Sequence, residues 1–205
     1  MIKNTFPGKF IAIEGLDGSG KATQAAAIAE ALRLTEKKVL LACEPTGSLV
    51  GDLIRQRLAG NWQSSPECLQ LLFAADRADH LQKEIIPNLA AGGYVVCDRY
   101  AFSSFAYGAL DCDLDWLIDV NKTFILPDLV LFVDVPPDVC IQRLAVKEKD
   151  RDIFEKLTVL NKVVLNYQTI FKKFVAQGVN IAIVDGNKNS EDVFSEIKKI
   201  IEKII

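Results

Sequence analysis

The chain has 205 residues, of which 50% are hydrophobic and 25% charged, and its formal net charge is −3. This length and composition suit one soluble domain with a sizeable apolar core. The small negative charge gives no general attraction to nucleic acid, and no apolar segment reaches the roughly 18 to 20 residues of a membrane span. We therefore expect neither a nucleic-acid partner nor a membrane partner.

The N-terminal segment has a short apolar run and no small-residue cleavage site, so it does not resemble a signal peptide. The five cysteines are odd in number and widely spaced, which favours reduced thiols over disulfides or a metal site. Both features predict a cytoplasmic protein.

Five short segments are almost continuously apolar, as is typical of strands that are buried on both faces of a parallel sheet. They are Phe10–Glu14, Val39–Cys43, Tyr94–Asp98, Leu129–Val135 and Asn180–Asp185. Segments with helical periodicity separate them. This alternation predicts a three-layer α/β fold with a five-stranded parallel sheet. Ligands in such folds bind beyond the carboxyl ends of the strands. Since no repeat or linker interrupts the chain, we expect a single domain over residues 1–205.

Two helices have clear sequence signals. Apolar residues at steps of three and four between positions 157 and 174 predict one long helix with a buried face, and Ser190 is expected to start the last helix. The apolar residues of the long helix include three aromatic ones, which we interpret as core rather than as a base-stacking platform. They are Leu157, Leu160, Val164, Tyr167, Phe171 and Phe174.

The segment GLDGSGKAT, residues 15–23, follows the first predicted strand and precedes a helix. It matches the phosphate-loop pattern G-x-x-x-x-G-K-[ST] at Gly15, Gly20 and Lys21. Backbone amides of such a loop face the phosphates, and the lysine adds a full positive charge. Ala22 stands where a hydroxyl ligand for magnesium is expected. We interpret the loop as functional, with a water in place of that hydroxyl.

Three further groups of residues suggest phosphate or nucleotide chemistry. Asp98 and Arg99 end the third strand, and strand alternation should point them to opposite sides, one toward a metal and one toward a phosphate. Phe73 and Arg77 share a helix face and can stack on a base and bind a phosphate or carbonyl. The basic segment at about 145–153 is either a solvated charge run or a lid that closes over the donor. Its cations are Lys147, Lys149 and Arg151.

These motifs together resemble the thymidylate kinase family, which phosphorylates dTMP to dTDP with ATP. The resemblance covers nearly the whole chain. In order, it rests on FIAIEGLDGSGKATQ, EPT at 44–46, GDLIRQRL, LLFAADR, DRYAFSSFAYG, PDLVLFVDVPP and DIFEK. It implies a P-loop kinase fold with a five-stranded parallel sheet, ATP as phosphoryl donor with Mg²⁺, dTMP as acceptor and a homodimer.

The resemblance also implies site residues. Asp17 is similar to the acid that contacts the acceptor's 3′-hydroxyl, Phe73 to the residue that stacks on thymine, and Tyr107 to the ring beneath the deoxyribose. The implied acceptor-binding residues are Asp17, Arg55, Phe73, Arg77, Arg99, Ser103 and Tyr107. The implied ATP-binding residues are Gly15, Leu16, Asp17, Gly18, Ser19, Gly20, Lys21, Ala22, Thr23 and Arg143.

The family has two catalytic layouts, in which an arginine comes either from the phosphate loop or from the lid. Gly18 occupies the loop position here, so the resemblance implies the second layout with Arg151 as the catalytic lid arginine. The implied catalytic residues are Lys21, Asp98, Arg99 and Arg151. Magnesium is expected on the ATP phosphates and water, with Asp98 ordering a bound water.

Two departures from the family pattern leave alternatives open. Gly108 stands where the family usually has a glutamine near the base, so a kinase for another deoxynucleotide or a deoxynucleoside is an alternative. Ala22 leaves open a non-catalytic nucleotide-binding relative. The retained Lys21, Asp98 and Arg99 favour an active kinase for dTMP.

Overall fold

The structure is a computed structural model that describes residues 1–144 and 150–203, with side chains for 1–144 and 156–203. Most of the predicted lid at 145–153 therefore lies outside the described residues, including Lys147 and Lys149. Arg151 is described only by its backbone, which is helical.

One parallel sheet of five strands forms the centre of the described fold, in the order β2-β3-β1-β4-β5. The strands are β1 (Lys9–Gly15), β2 (Val39–Cys43), β3 (Tyr94–Asp98), β4 (Leu129–Asp134) and β5 (Ile181–Asp185). The five predicted strands are confirmed to within one residue at each end. The central strands β1, β3 and β4 are buried almost throughout, whereas the edge strands β2 and β5 are only partly buried.

Helices connect the strands and cover the sheet. They are α1 (Lys21–Arg33), α2 (Leu49–Leu58), α3 (Pro66–His80), α4 (Ile86–Ala90), α5 (Ala101–Gly108), α6 (Leu114–Val120), α7 (Pro137–Leu144), α8 (Asp150–Val175) and α9 (Ser190–Ile201). A π-helical turn, Leu81–Ile85, joins α3 to α4. The predicted α/β fold with a five-stranded parallel sheet is therefore confirmed.

Helix α8 buries the predicted apolar stripe against the sheet and against α5. The rings of Tyr167 and Phe171 contact Phe132 of β4, and Phe174 stacks on Phe105 of α5. These rings are core, as predicted. Ser190 is the first residue of α9, and Asn189 caps the helix by accepting a hydrogen bond from the Asp192 amide.

The sheet order brings the ends of β1 and β3 together, because the two strands are neighbours and Ile13 pairs with Asp98. The amide of Arg99 donates to the Ile13 carbonyl at 2.9 Å. The phosphate loop after β1 and the Asp98–Arg99 pair after β3 therefore share one edge of the sheet. Among the described residues, no helix is long and apolar enough to cross a membrane.

Candidate active site

The phosphate loop connects β1 to α1 and packs closely against α7. Gly18 has φ +85°, a conformation that residues with side chains rarely adopt. A Cβ at this position would lie 2.4 Å from the carbonyl oxygen of Cys140 on α7. The loop therefore has no room for a side chain at position 18, and it cannot supply an arginine from there.

Lys21, the first residue of α1, is buried within the loop that precedes it. Its Nζ donates to the carbonyl oxygen of Leu16 at 2.7 Å. Burial and the nearby charge of Arg99 lower the pKa of Lys21 to about 8. The ammonium is thus held inside the curve of the loop, where an anion would restore the pKa by favouring the charged form.

Arg99 is held in place by several contacts at the carboxyl end of the sheet. Its φ of 69° is rare for a residue with a side chain, and such strain is concentrated at functional sites. The guanidinium donates to Ser103 Oγ at 2.7 Å and to Asp17 Oδ1 at 2.5 Å. It also reaches the Gly15 carbonyl at 3.3 Å and lies over the Tyr107 ring. These contacts tie the end of β3 to the phosphate loop.

The rule of strand alternation does not extend to Arg99. β3 ends at Asp98, and Arg99 lies beyond the strand with a positive φ. Both residues line the same cavity.

Glu14 is a buried carboxylate that the sequence analysis did not assign to the site. It accepts hydrogen bonds from the Tyr100 amide at 2.9 Å, from Ser103 Oγ at 2.5 Å and from Tyr167 Oη at 3.1 Å. Burial raises its pKa, although these hydrogen bonds and Arg99 oppose the rise. Because Ser103 Oγ also accepts from Arg99, Glu14 fixes the arginine through this hydroxyl. Glu14 could have been found from the sequence, because it is an acidic residue at the end of the apolar strand FIAIE.

A cavity of about 680 Å³ opens beside the phosphate loop, between the end of β3 and helices α3 and α5. It brings together all seven predicted acceptor-binding residues and Asp98. Those lining it are Asp17, Arg55, Phe73, Arg77, Asp98, Arg99, Ser103 and Tyr107. Its volume lies in the range of small-molecule binding sites.

Some polar atoms of the cavity wall are buried without a hydrogen-bond partner among the described residues. They include Gln70 Oε1, Arg77 Nε, Asp98 Oδ1 and Tyr107 Oη. Buried polar groups in native proteins are nearly always paired. These groups are therefore candidates for contacts with a polar ligand.

Arg77 is only 1% exposed and is held by side chains from several elements. It pairs with Glu44 at 2.8 Å and donates to Ser104 Oγ at 3.0 Å and to Asn121 Oδ1 at 2.5 Å. The second oxygen of Glu44 contacts His80 Nδ1 at 3.1 Å. A buried charge needs such partners, so this network fixes the direction of Arg77. The sequence analysis assigned no role to Glu44 or Asn121, although Glu44 lies in the EPT motif.

Asp76 of the LLFAADR motif holds the segment after β2. It accepts from the Thr46 amide at 2.8 Å and from the hydroxyls of Thr46 and Ser48 at 2.6 and 2.8 Å. Arg55 of α2 donates to the Thr46 carbonyl at 2.6 Å and forms an ion pair with Asp52. Asp76 and Arg55 therefore fix the EPT segment beside the cavity.

Arg143 does not line this cavity. It belongs to α7, and its guanidinium donates to the Gly186 carbonyl after β5 at 3.2 Å. Arg143 therefore lies apart from the acceptor-side residues, on the helix that packs against the phosphate loop.

The described residues fit a magnesium ion that is held mainly by a nucleotide. No group of three or more His, Cys, Asp or Glu among them could form a metal site by itself. Asp98, however, has a buried oxygen without a partner. Burial raises the pKa of Asp98, while Lys21 and Arg99 act to lower it. A single carboxylate beside a phosphate loop suits Mg²⁺, which keeps several waters and binds phosphate oxygens.

Comparisons with known proteins identify the family. A family model described as thymidylate kinase matches residues 13–197. A protein named probable thymidylate kinase from Pyrococcus horikoshii is 38% identical over 201 residues, which cover 95% of this chain and 96% of the relative. A thymidylate kinase from Thermosipho melanesiensis is 37% identical over 201 residues, covering 96% of this chain and 98% of the relative. The chain therefore belongs to the thymidylate kinase family.

Proposed function

We propose that the chain transfers the γ-phosphoryl group of ATP to dTMP, giving ADP and dTDP. The observation that carries this proposal is the single cavity in which Arg99, Phe73 and Arg77 meet beside the phosphate loop. An anion-binding arginine, an aromatic ring and a fixed guanidinium in one cavity suit a nucleoside monophosphate. Family membership supports the same reaction.

On the donor side, the amides of residues 15–23 and the Lys21 ammonium bind the ATP phosphates in this proposal. The helix α1 begins at Lys21, so its N-terminus adds a favourable partial charge for an anion. Arg143, on the helix against the loop, is proposed to contact ATP as well.

On the acceptor side, Arg99 binds the dTMP phosphate and Phe73 stacks on the base. Tyr107 lies beneath the deoxyribose, and Asp17 accepts a hydrogen bond from its 3′-hydroxyl. Arg55 lies beside the same phosphate. In the structure Asp17 is paired with Arg99, which supports roles for both residues toward the same ligand.

In the reaction, an oxygen of the acceptor phosphate forms a bond to the γ-phosphorus while the bond from that phosphorus to the β–γ bridging oxygen breaks. The electron pair leaves with ADP. The attacking oxygen is already ionised near neutral pH, so no strong general base is required. The chain contributes by positioning the two anions and neutralising their charge. Bound Mg²⁺ supplies further charge neutralisation at the phosphates, and Asp98 is the residue proposed to order its water.

We further propose a single domain over residues 1–205, a cytoplasmic location and a homodimer. Exposed leucines on α2 and α3 support the homodimer, because the side chains of Leu49, Leu53 and Leu71 are 85%, 45% and 51% exposed. Large exposed apolar side chains on neighbouring helices are a feature of protein interfaces.

A panel of acceptors tests the proposed reaction. ADP release should be measured with dTMP, dUMP, dGMP, dCMP, UMP and thymidine at saturating MgATP. We expect dTMP to give the highest kcat/KM, because Phe73, Arg77, Arg99 and Tyr107 line one cavity. A higher kcat/KM with thymidine or with a purine monophosphate would contradict the proposal.

Ala22→Ser tests the altered magnesium shell. Ala22 follows Lys21 in the first turn of α1 and is exposed, so a hydroxyl there can replace a water on the metal. We expect a lower magnesium concentration at half-maximal rate. Ala26→Ser places the same hydroxyl one turn later on the same helix and should leave that concentration unchanged. Equal magnesium dependence of the Ala22→Ser variant and the original chain would count against the water-filled shell.

A further inference from the structure

The carboxamide of Gln70 is buried in the cavity wall and has no role in the reaction described above. Gln70 lies on α3, one turn before Phe73 and two turns before Arg77, and it is only 8% exposed. Its Oε1 atom has no hydrogen-bond partner among the described residues. Burying an amide oxygen without a partner costs free energy. A ligand that draws the carboxamide toward the cavity and donates to this oxygen recovers that cost.

Gly108 at the end of α5 gives the carboxamide its room. A Cβ at position 108 would lie 2.9 Å from Cδ and 3.0 Å from Oε1 of Gln70, and 3.0 Å from a methyl carbon of Leu117. Each distance is shorter than an ordinary van der Waals contact between such atoms. Even alanine at position 108 would therefore press against the Gln70 carboxamide and displace it.

Two unpartnered groups on α3, the Gln70 carboxamide and Arg77 Nε, indicate which hydrogen-bonding groups a ligand should present to them. A carboxamide presents an acceptor and a donor side by side, whereas the Nε of Arg77 can only donate. The imide edge of a pyrimidine has an N–H donor between two carbonyl acceptors. It can donate to Gln70 Oε1 and accept from Gln70 Nε2, and a ring carbonyl can accept from Arg77. A ring with an amino group at position 4 would present a donor to Arg77, which can only donate.

We propose that Gln70 is a specificity-determining residue that binds the imide edge of the acceptor base with two hydrogen bonds, and that Gly108 is the position that makes room for it. The inference rests on the proposed function, in which the base occupies this cavity. Phe73, the next cavity residue along α3, covers the face of the ring, so that Gln70 meets its edge.

Gln70→Leu removes both hydrogen bonds at similar volume. The measurement is kcat/KM for dTMP and for its N3-methyl derivative, which lacks the imide proton. A bidentate contact to a base contributes roughly 5- to 150-fold in discrimination. We expect kcat/KM for dTMP, and its ratio to that for the N3-methyl compound, to fall by that factor. The matched control is Gln82→Leu, which changes an exposed glutamine in the adjoining π-helical turn and should change neither value.

Two further variants separate recognition from a folding defect. Gln70→Glu keeps the shape of the side chain but loses the amide donor, so kcat/KM for dTMP should again fall while the KM for ATP stays constant. Gly108→Ala should lower kcat/KM for dTMP by displacing the carboxamide. Adding Gly108→Ala to Gln70→Ala should lower kcat/KM for dTMP little further than Gln70→Ala alone does, because the effects of substitutions at contacting residues are not additive.

The outcomes distinguish this inference from the proposed function. If the unaltered chain phosphorylates dTMP and Gln70→Leu does so with the kcat/KM of Gln82→Leu, the inference is wrong and the proposed function stands. The inference would also be overturned if the losses of kcat/KM for dTMP in Gln70→Ala and Gly108→Ala were additive in the double variant. A chain that phosphorylates none of the pyrimidine monophosphates contradicts the proposed function, and the inference falls with it.

Discussion

Lys21→Ala is expected to lower kcat by at least about 10³-fold, because the substitution removes the full positive charge held inside the phosphate loop. The Nζ atom of Lys21 is buried and donates to the Leu16 carbonyl, so no other described ammonium occupies that position. The measurement is ADP release at saturating ATP and dTMP. Lys3→Ala, on the exposed N-terminal segment, controls for the general loss of a lysine.

The pKa of Lys21 adds a pH dependence to this prediction. The ammonium binds phosphate only when protonated, and its pKa in the free protein is lowered to about 8. The kcat/KM for ATP, which reports the free enzyme, should therefore fall as pH rises through about 8. At saturating ATP, bound phosphate favours the charged form, so kcat should fall only at higher pH. A kcat/KM for ATP that stays constant from about pH 7 to pH 9.5 would contradict the assignment of Lys21.

Arg151→Ala is expected to lower kcat by about 10³- to 10⁵-fold while affecting the KM for dTMP much less. An arginine that contacts mainly the transition state contributes to kcat rather than to ground-state binding. Gly18 occupies the loop position that carries the arginine in the first family layout, and its contact with the Cys140 carbonyl leaves no room for a side chain there. The second layout, which the resemblance implies, takes the arginine from the basic segment that contains Arg151.

The control for this variant is Lys162→Ala, which removes an exposed positive charge from the same helix, α8. Single-turnover measurements with both variants separate the chemical step from product release. If kcat is unchanged in Arg151→Ala, Arg151 is not the catalytic lid residue, and Lys147, Lys149 or Arg143 has that role instead.

The fold class, the strands and the phosphate loop could be predicted from the amino-acid sequence. These features depend on local pattern. Continuous apolar segments are typical of strands that are covered on both faces, and a glycine loop with a lysine between a strand and a helix is the pattern of a phosphate-binding loop. The acceptor-side residues were predicted from the family resemblance of their motifs, and in the structure they line one cavity.

Which side chains contact one another depends on tertiary packing and could not be predicted in this way. Arg99 and Asp98 line one cavity, and Arg99 has a positive φ, a backbone state that no sequence periodicity predicts. Glu14 joins the site because β1 lies beside β3 and α8 brings Tyr167 over its carboxylate. Gln70 and Gly108 are 38 positions apart, and their contact depends on how α3 packs against α5. Long-range packing of this kind is set by the whole core, so a local pattern can name the residues of a site but not their partners.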